Sequence, residues 1–475
     1  MIHLIKNIWM ALAVTCFWGI SVAACSDSQE SLTPVCSFVD PSDGGTVETI
    51  TLTCAGGDRM VQLVSNVDWS VNTNSDWCSL SNHSGVATDT KNTTMYLKIS
   101  VAANAATEQR TAEIILQAGG KTTRLNIIQQ GTSAQDASGW ELAATAVQRM
   151  KAGLNIGNTL DAYGTWIGGD EPSAFETAWG NPVITPELIK AIKAGGFNAV
   201  RLPVTWWQHL DGAGNVKESW MDRVEEVVNY ILDEDMYCIL NVHHDTGGSE
   251  TCWLRADLAN YEDVSTRFAS LWTQIASRFI SYDAKLVFEG YNEMLDANFT
   301  WTQTDANGYE AHNRLAQLFV NTVRATGGNN AKRNLLVNTY SSDAGEKSVT
   351  NFQIPTDQTE HHLIVGVHIY TPGSFTSPAE DAEAPVWTVA HEAELTPVFE
   401  RLNISFVGLG VPVIVGEFGA QEKAVEAERA KYTEYFVGAA KRYGITCFHW
   451  FDLINRSTYQ WTSESVKNAI LNAAQ

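Results

Sequence analysis

Two glutamates each close an apolar run. KLVFEGYNEML (285–295) carries Leu286, Val287 and Phe288 toward Asn292 and Glu293, and PVIVGEFG (412–419) carries three aliphatic residues toward Glu417. Runs of this kind read as buried strands, and an acid at the tip of a buried strand is an acid held on a rigid post. Two such carboxylates facing each other can flank a glycosidic bond, one protonating the leaving oxygen while the other attacks the anomeric carbon. The neighbouring residue types suit that chemistry. Asn292 can hydrogen-bond a sugar 2-hydroxyl, whose contact strengthens as the oxocarbenium-like charge develops. Arg201 can hold Glu417 ionised, since a nearby cation favours the charged form, and Tyr370 can donate to the same carboxylate. His243, His244 and His368 offer further polar contacts, and Asn158, Trp206 and Trp450 complete the candidate set.

The elements that must position these residues recur with a regular habit. Eight apolar runs follow one another: GLNIGNT (153–159), FNAVRLPV (197–204), MYCILNVHHD (236–245), KLVFEGYNE (285–293), NLLVNTY (334–340), HLIVGVHIY (362–370), PVIVGEFG (412–419) and ITCFHWF (445–451). Each starts with residues suited to burial and releases polar or aromatic ones at its C-terminal end. Amphipathic stretches lie between them. Pro186 to Ala194 follows Thr185 as cap, and Trp220 to Asp233 carries Val224, Val227, Val228 and Ile231 at helical spacing. Eight strand-helix units predict an α/β fold, a (β/α)8 TIM barrel, whose chemistry sits at the C-terminal ends of the strands. Ahead of it, residues 36–131 alternate apolar and polar in short runs without a helical stretch, which predicts a small all-β, immunoglobulin-like sandwich. TSAQDASG is small and polar. The expected boundaries are a sandwich at 36–131, a linker at 132–138 and a catalytic barrel at 139–475.

The motifs GLNIGNTLDA, ETAWGNPVITPELIKAIKAGGFNAVRLPVTW, ILNVHHD, FEGYNEM, VHIY and VIVGEFGA resemble glycoside hydrolase family 5, and within it the endoglucanase and xyloglucanase branch. The resemblance covers nearly the whole second domain, in order. It implies a retaining, endo-acting enzyme on a β-1,4-linked polysaccharide, with Glu293 as acid/base and Glu417 as nucleophile. It also implies that Arg201, His243, Asn292, His368, Tyr370 and Trp450 line the site, Trp450 as a sugar platform. Many relatives carry Pro after the acid, whereas this chain has Met294, which is expected to alter the following loop and not the chemistry. Endo-β-1,4-mannanase action and non-catalytic glycan binding are the alternative readings. VDWSVNTNSDWCSLS with the closing IIQQG resembles the BACON domain. That resemblance implies either a carbohydrate-attachment module or a spacer, with Trp69 and Trp77 as core residues.

Bulk composition narrows the partners. The 475 residues carry 31 Lys and Arg against 54 Asp and Glu, a formal net charge of −23. A nucleic-acid partner requires basic clusters, so this balance argues against one and fits a neutral polymer. Sixteen tryptophans supply flat faces suited to sugar rings as well as to cores. Trp206, Trp207, Trp253, Trp301 and Trp461 are the candidates, of which two or three are expected in the cleft. No cofactor is expected, and a monomer is.

The six cysteines beyond Cys25 form no close pairs, which argues against zinc. Cys238 and Cys447 read as small buried residues. His243-His244 and His361-His362 resemble metal ligands, but neighbours on a strand point to opposite faces, so only one of each pair is expected at the mouth. At the N-terminus, Lys6 and the apolar run Ile8 to Ile20 precede Val22-Ala23-Ala24-Cys25, which reads as a signal peptide (1–24) and resembles a bacterial lipobox. Residues 25–35 would then be a tether from lipidated Cys25. Asp27, Gln29 and Glu30 resemble an export signal for surface display. The expected location is the outer membrane, at the cell surface.

Overall fold

The computed structural model describes residues 33–41, 44–54, 56–87, 95–102, 104, 108–131, 135–136, 138–302 and 304–475. The expected leader, the lipidation position expected at Cys25 and parts of the expected linker lie outside the described residues.

The N-terminal part is a sandwich of two sheets. One has the spatial order Cys36–Val39, Gly57–Ser65, Met95–Val101, Cys78–Leu80; the other runs Thr49–Leu52, Lys121–Gln129, Arg110–Ala118, Trp69–Thr73, Ser84–Gly85. Alternation along each strand sends one face inward. Phe38, Leu63, Val71, Leu97, Ile99, Ile114, Leu116, Leu125 and Ile127 meet in the middle, all essentially inaccessible. Trp69 belongs to that core and donates its indole N–H to the Val86 carbonyl at 3.1 Å. Trp77 is half-buried under the Arg110 guanidinium.

The C-terminal part is a closed barrel of eight parallel strands, in chain order β1 Ala152–Asn155, β2 Ala199–Leu202, β3 Tyr237–Asn241, β4 Leu286–Glu289, β5 Leu335–Asp343, β6 Leu363–Ile369, β7 Val413–Phe418 and β8 Thr446–His449. Closure is direct: Ala152 of β1 pairs with Cys447 of β8. All eight coincide with the expected apolar runs. Helices cover the outside. Pro186–Ala194 starts as expected, Thr185 accepting the Leu188 N–H. Glu218–Asp233 buries Val224, Val227, Val228 and Ile231. Cys238 and Cys447 are buried thiols.

The interior is layered. Ala199, Ile239, Val287, Leu336, Ile364, Ile414 and Phe448 point inward and form one apolar cluster with Val147 and Met150 of the helix Ala143–Met150, which closes the N-terminal end. Side chains alternate along a strand, so the next inward residues stand two positions further on. These are Arg201, Asn241, Glu289, Asn338 and Gly416. An apolar floor therefore carries a polar layer. Gly153 is obligatory in this packing, because a Cβ there would lie 2.2 Å from the Phe448 ring.

The sandwich docks on the barrel's flank. Arg59, buried at 2 % exposure, donates to Asn403 Oδ1 at 2.7 Å and to the Val407 carbonyl at 3.3 Å. Gly57, at φ 116°, approaches so closely that a Cβ would meet the Arg442 carbonyl at 2.9 Å. A buried guanidinium needs these acceptors. Arg59→Ala is expected to weaken the docking by about 2–3 kcal/mol, the usual worth of hydrogen bonds to a charged group. Calorimetry should show the unfolding of the two parts separating, whereas an unchanged thermogram would mean that Arg59 is not an anchor.

Candidate active site

Arg201 is the hub of the polar layer. It is inaccessible to solvent, and a guanidinium has five N–H groups to satisfy. All five are met. Nε and Nη2 bind both oxygens of Glu289 at 2.7 and 2.8 Å. Nη1 donates to Glu417 Oε1 at 2.8 Å and to Asn155 Oδ1 at 2.9 Å, while Nη2 also reaches Asn292 Oδ1 at 2.7 Å. The Asn292 carbonyl is thereby turned toward Arg201, which leaves its amide N–H groups as the donors available to a ligand.

Glu293 lies beyond the strand proper, since β4 ends at Glu289. The loop that carries it is pinned by Asn292 N–H to the Val242 carbonyl at 2.9 Å and by the Tyr291 hydroxyl to the Asn338 carbonyl at 3.0 Å. Met294 also takes part, donating its N–H to the Asn292 carbonyl at 3.1 Å, a bond that Pro at this position would lack.

His368 stands between the acids. Its Nδ1 is 2.8 Å from Glu293 Oε1 and 3.6 Å from Glu417 Oε2. Burial pushes this imidazole down to about 4, so it is neutral at ordinary pH. Among the described residues its Nε2 meets no hydrogen-bond partner, facing Gly416. With the proton on Nδ1, the ring donates to Glu293 and keeps Nε2 as its lone pair. Glu417 receives the Tyr370 hydroxyl on Oε2 at 3.0 Å in addition to Arg201. One carboxylate oxygen from each acid lies within 4.8 Å of the other. That closeness is in keeping with the roughly 5–5.5 Å between the carboxyl groups of a nucleophile and acid/base pair.

Electrostatics separates the two roles. Burial raises both carboxyl groups, Glu293 to about 7, with Glu289 adding to the rise and Arg201 opposing it. Glu417 has two direct donors favouring its charged form, Glu293 one. The resting proton therefore belongs on Glu293.

The rim is aromatic on one side and polar on the other. Tyr163 meets Trp179, Trp207 and His244 at ring-centroid distances of 5.5, 6.4 and 5.0 Å. Trp450 lies parallel to His243 at 5.8 Å, over Gly157. Beside Glu293 opens a pocket of about 370 Å³ lined by Trp301, Ser341, Ser342, Asp343, Tyr370 and Arg401, among others.

Several sequence expectations need correcting. Trp206 is fully buried and donates its indole N–H to the Asn241 carbonyl at 3.0 Å, so it packs and does not touch a ligand. Trp461 stacks on Phe197 and covers Gly195, on the flank near the N-terminal end of β2. Trp253 bonds Asp245 and lies under Arg267. Asn158 occupies a left-handed turn at φ 58° and its carbonyl accepts from Asn181. The histidine argument also fails. β3 ends at Asn241, so strand alternation no longer governs His243 and His244, and a ring nitrogen of each lies within 4.8 Å of an Asp161 oxygen. His361 and His362 precede β6 and sit at the opposite end of the barrel. Asp161 with the two histidines, and Glu293, His368 and Glu417, are groups with the donor types of a metal site. In the first, Asn241 donates to His243 Nδ1, because its own Oδ1 already accepts the Val204 N–H. Sequence reasoning missed Glu289, Asn155, Tyr163 and Trp179. Inward alternation from Val287 would have found Glu289.

Residues 160–453 match the family model Cellulase (glycosyl hydrolase family 5). The chain belongs to glycosyl hydrolase family 5. Residues 67–130 match BACON, a putative binding domain. Family 5 relatives include Endoglucanase A of Clostridium longisporum, 34% identical over 76% of this chain and 71% of that protein. A xyloglucan-specific endo-β-1,4-glucanase of Bacteroides ovatus is 31% identical over 88% of each chain. Among solved structures, a mutant of a family 5 enzyme from Prevotella bryantii B14 in complex with a xyloglucan tetradecasaccharide is similar at TM-score 0.67 and 40% identity, over 71% of this chain and 99% of that one.

The family 5 site predicts its own pH dependence. Glu417 must be ionised and Glu293 protonated, so kcat/KM should rise as Glu417 loses its proton and fall as pH passes about 7, where Glu293 loses its own. A profile that stays flat well above neutrality would contradict the assignment of the proton.

Proposed function

We propose that this chain is an exported, lipid-anchored endo-β-1,4-glucanase that cleaves xyloglucan and related β-1,4-glucans with retention. The observation that carries the reading is the acid pair: two carboxyl groups with an oxygen of each within 4.8 Å of the other, on either side of a neutral His368 and beside a pocket open enough for a further sugar. The substrate class rests on the similarity to a xyloglucan-specific relative that spans both domains, and on a mouth lined by aromatic faces on one side.

The geometry supports a double displacement. Glu417, held by Arg201 and Tyr370, attacks the anomeric carbon as Glu293 gives its proton to the departing glycosidic oxygen. The amide of Asn292 donates to the sugar 2-hydroxyl. Once Glu417 is esterified its charge is gone, and Glu293 is left as the carboxylate. Glu293 then takes a proton from the incoming water, which attacks the same carbon and releases Glu417.

Glu417→Gln should cut turnover on xyloglucan by at least about 10³-fold, with Glu293→Gln comparable on that substrate. On an aryl glycoside whose leaving group needs no protonation, Glu293→Gln should lose far less. Proton NMR of the first product should show the β-anomer. A panel of xyloglucan, mixed-linkage glucan, carboxymethylcellulose and mannan tests the substrate, and activity on mannan alone would overturn the proposal.

The anchor is testable separately. Cys25→Ser should abolish incorporation of labelled palmitate and move the protein from the membrane to the soluble fraction. Retention in the membrane by the variant would show that Cys25 is not the anchor.

A further inference from the structure

Glu289 ends β4 yet performs no step in the scheme above. It is 1 % exposed and touches no open part of the mouth. Both its oxygens are engaged by Arg201, and Asn338 Nδ2 donates to Oε1 at 2.7 Å. Asn338 is itself oriented by its second bond, to the Tyr291 carbonyl at 2.6 Å. A carboxylate so fully committed is a fixed charge.

The groups facing it explain what a fixed charge does there. Arg201 from β2 is the cation common to Glu289 and Glu417. His368 from β6 and His243 beyond β3 are held neutral by burial, and burial likewise keeps Tyr291 and Tyr370 as phenols. Asp343 and Arg401 line the pocket beside Glu293. Were Glu289 uncharged, the site would carry one positive charge more, and the field of that excess would fall on Glu293. That field favours the ionised form, in which Glu293 cannot act as an acid. With Glu289 in place, Arg201 and Glu289 form a neutral unit. A single negative charge is then left to the two reacting acids, on Glu417 at rest and on Glu293 in the glycosyl-enzyme.

We propose that Glu289 is a positioning residue that neutralises Arg201, aiming the guanidinium at Glu417 and Asn292 without stripping the proton from Glu293. The proposal rests on the assignment of Glu293 as the acid. The operating pH is then set four residues ahead of the acid, at the end of β4.

The test is the pH dependence of kcat/KM on soluble xyloglucan for the wild type, Glu289→Gln and Glu289→Asp, with thermal unfolding confirming that each variant is folded. In Glu289→Gln the alkaline limb should move toward acid by about one pH unit, the scale expected for removing one buried charge near the acid. Glu289→Asp keeps the charge on a shorter arm, so its limb should move the same way by less, and it carries the test alone if Glu289→Gln does not fold. A residue that merely props up the fold would lower activity at every pH and leave the limb in place. That result, in whichever variant folds, overturns the proposal. A wild type with no alkaline limb overturns the acid assignment and this proposal with it.

Discussion

A guanidinium buried in a closed barrel must have every N–H paired, and the way Arg201 meets that demand arranges the rest of the site. Its five donors reach side chains from β1, β4 and β7 and from the loop after β4. Unpaired, any of these would cost more than a typical hydrogen bond returns. The constraint runs in both directions. Arg201 is held by its acceptors, and the acceptors are oriented by Arg201, so that the Asn292 amide and the Glu417 carboxylate each have one side committed and one side free.

The two glutamates, with oxygens within 4.8 Å of each other, have surroundings different enough to suit opposite tasks. Glu417 lies in the strand wall, 7 % exposed, with a cation and a phenol donating to it. Glu293 rides on a loop, 23 % exposed, with one imidazole donor. Buried guanidinium chemistry also operates at the domain contact. There Arg59 takes neutral acceptors in place of carboxylates, and burial lowers it to about 10. Arg201 organises charge at the mouth of the barrel, and Arg59 joins two domains.

Much of this was legible in the chain. The eight strands could be read because a strand covered on both faces is a continuous apolar run, and the residues after those runs had to sit at the catalytic end. Glu293, Glu417, Arg201, Asn292, His368 and Tyr370 were all found that way, and the structure brings them together. The failures have a common cause. Trp206 and Trp461 have the composition of sugar platforms, but an indole suits a core equally well, and only its neighbours distinguish the two. The His243-His244 argument applied strand alternation beyond the last strand residue. Glu289 was passed over because it was read as part of an apolar run, although its inward position follows from Val287.

Local residue pattern was therefore enough to determine the (β/α)8 class and the placing of Glu293 and Glu417 at the C-terminal ends of their strands. Each of these depends on periodicity within a run of some ten residues. Which acid holds the proton, which indoles face a ligand and which carboxylate neutralises Arg201 were decided only by closure of the barrel. Those outcomes depend on distances between groups such as Arg201 and Glu417, 216 positions apart. Charge and desolvation act through space, and the spacing of residues along the chain does not record them.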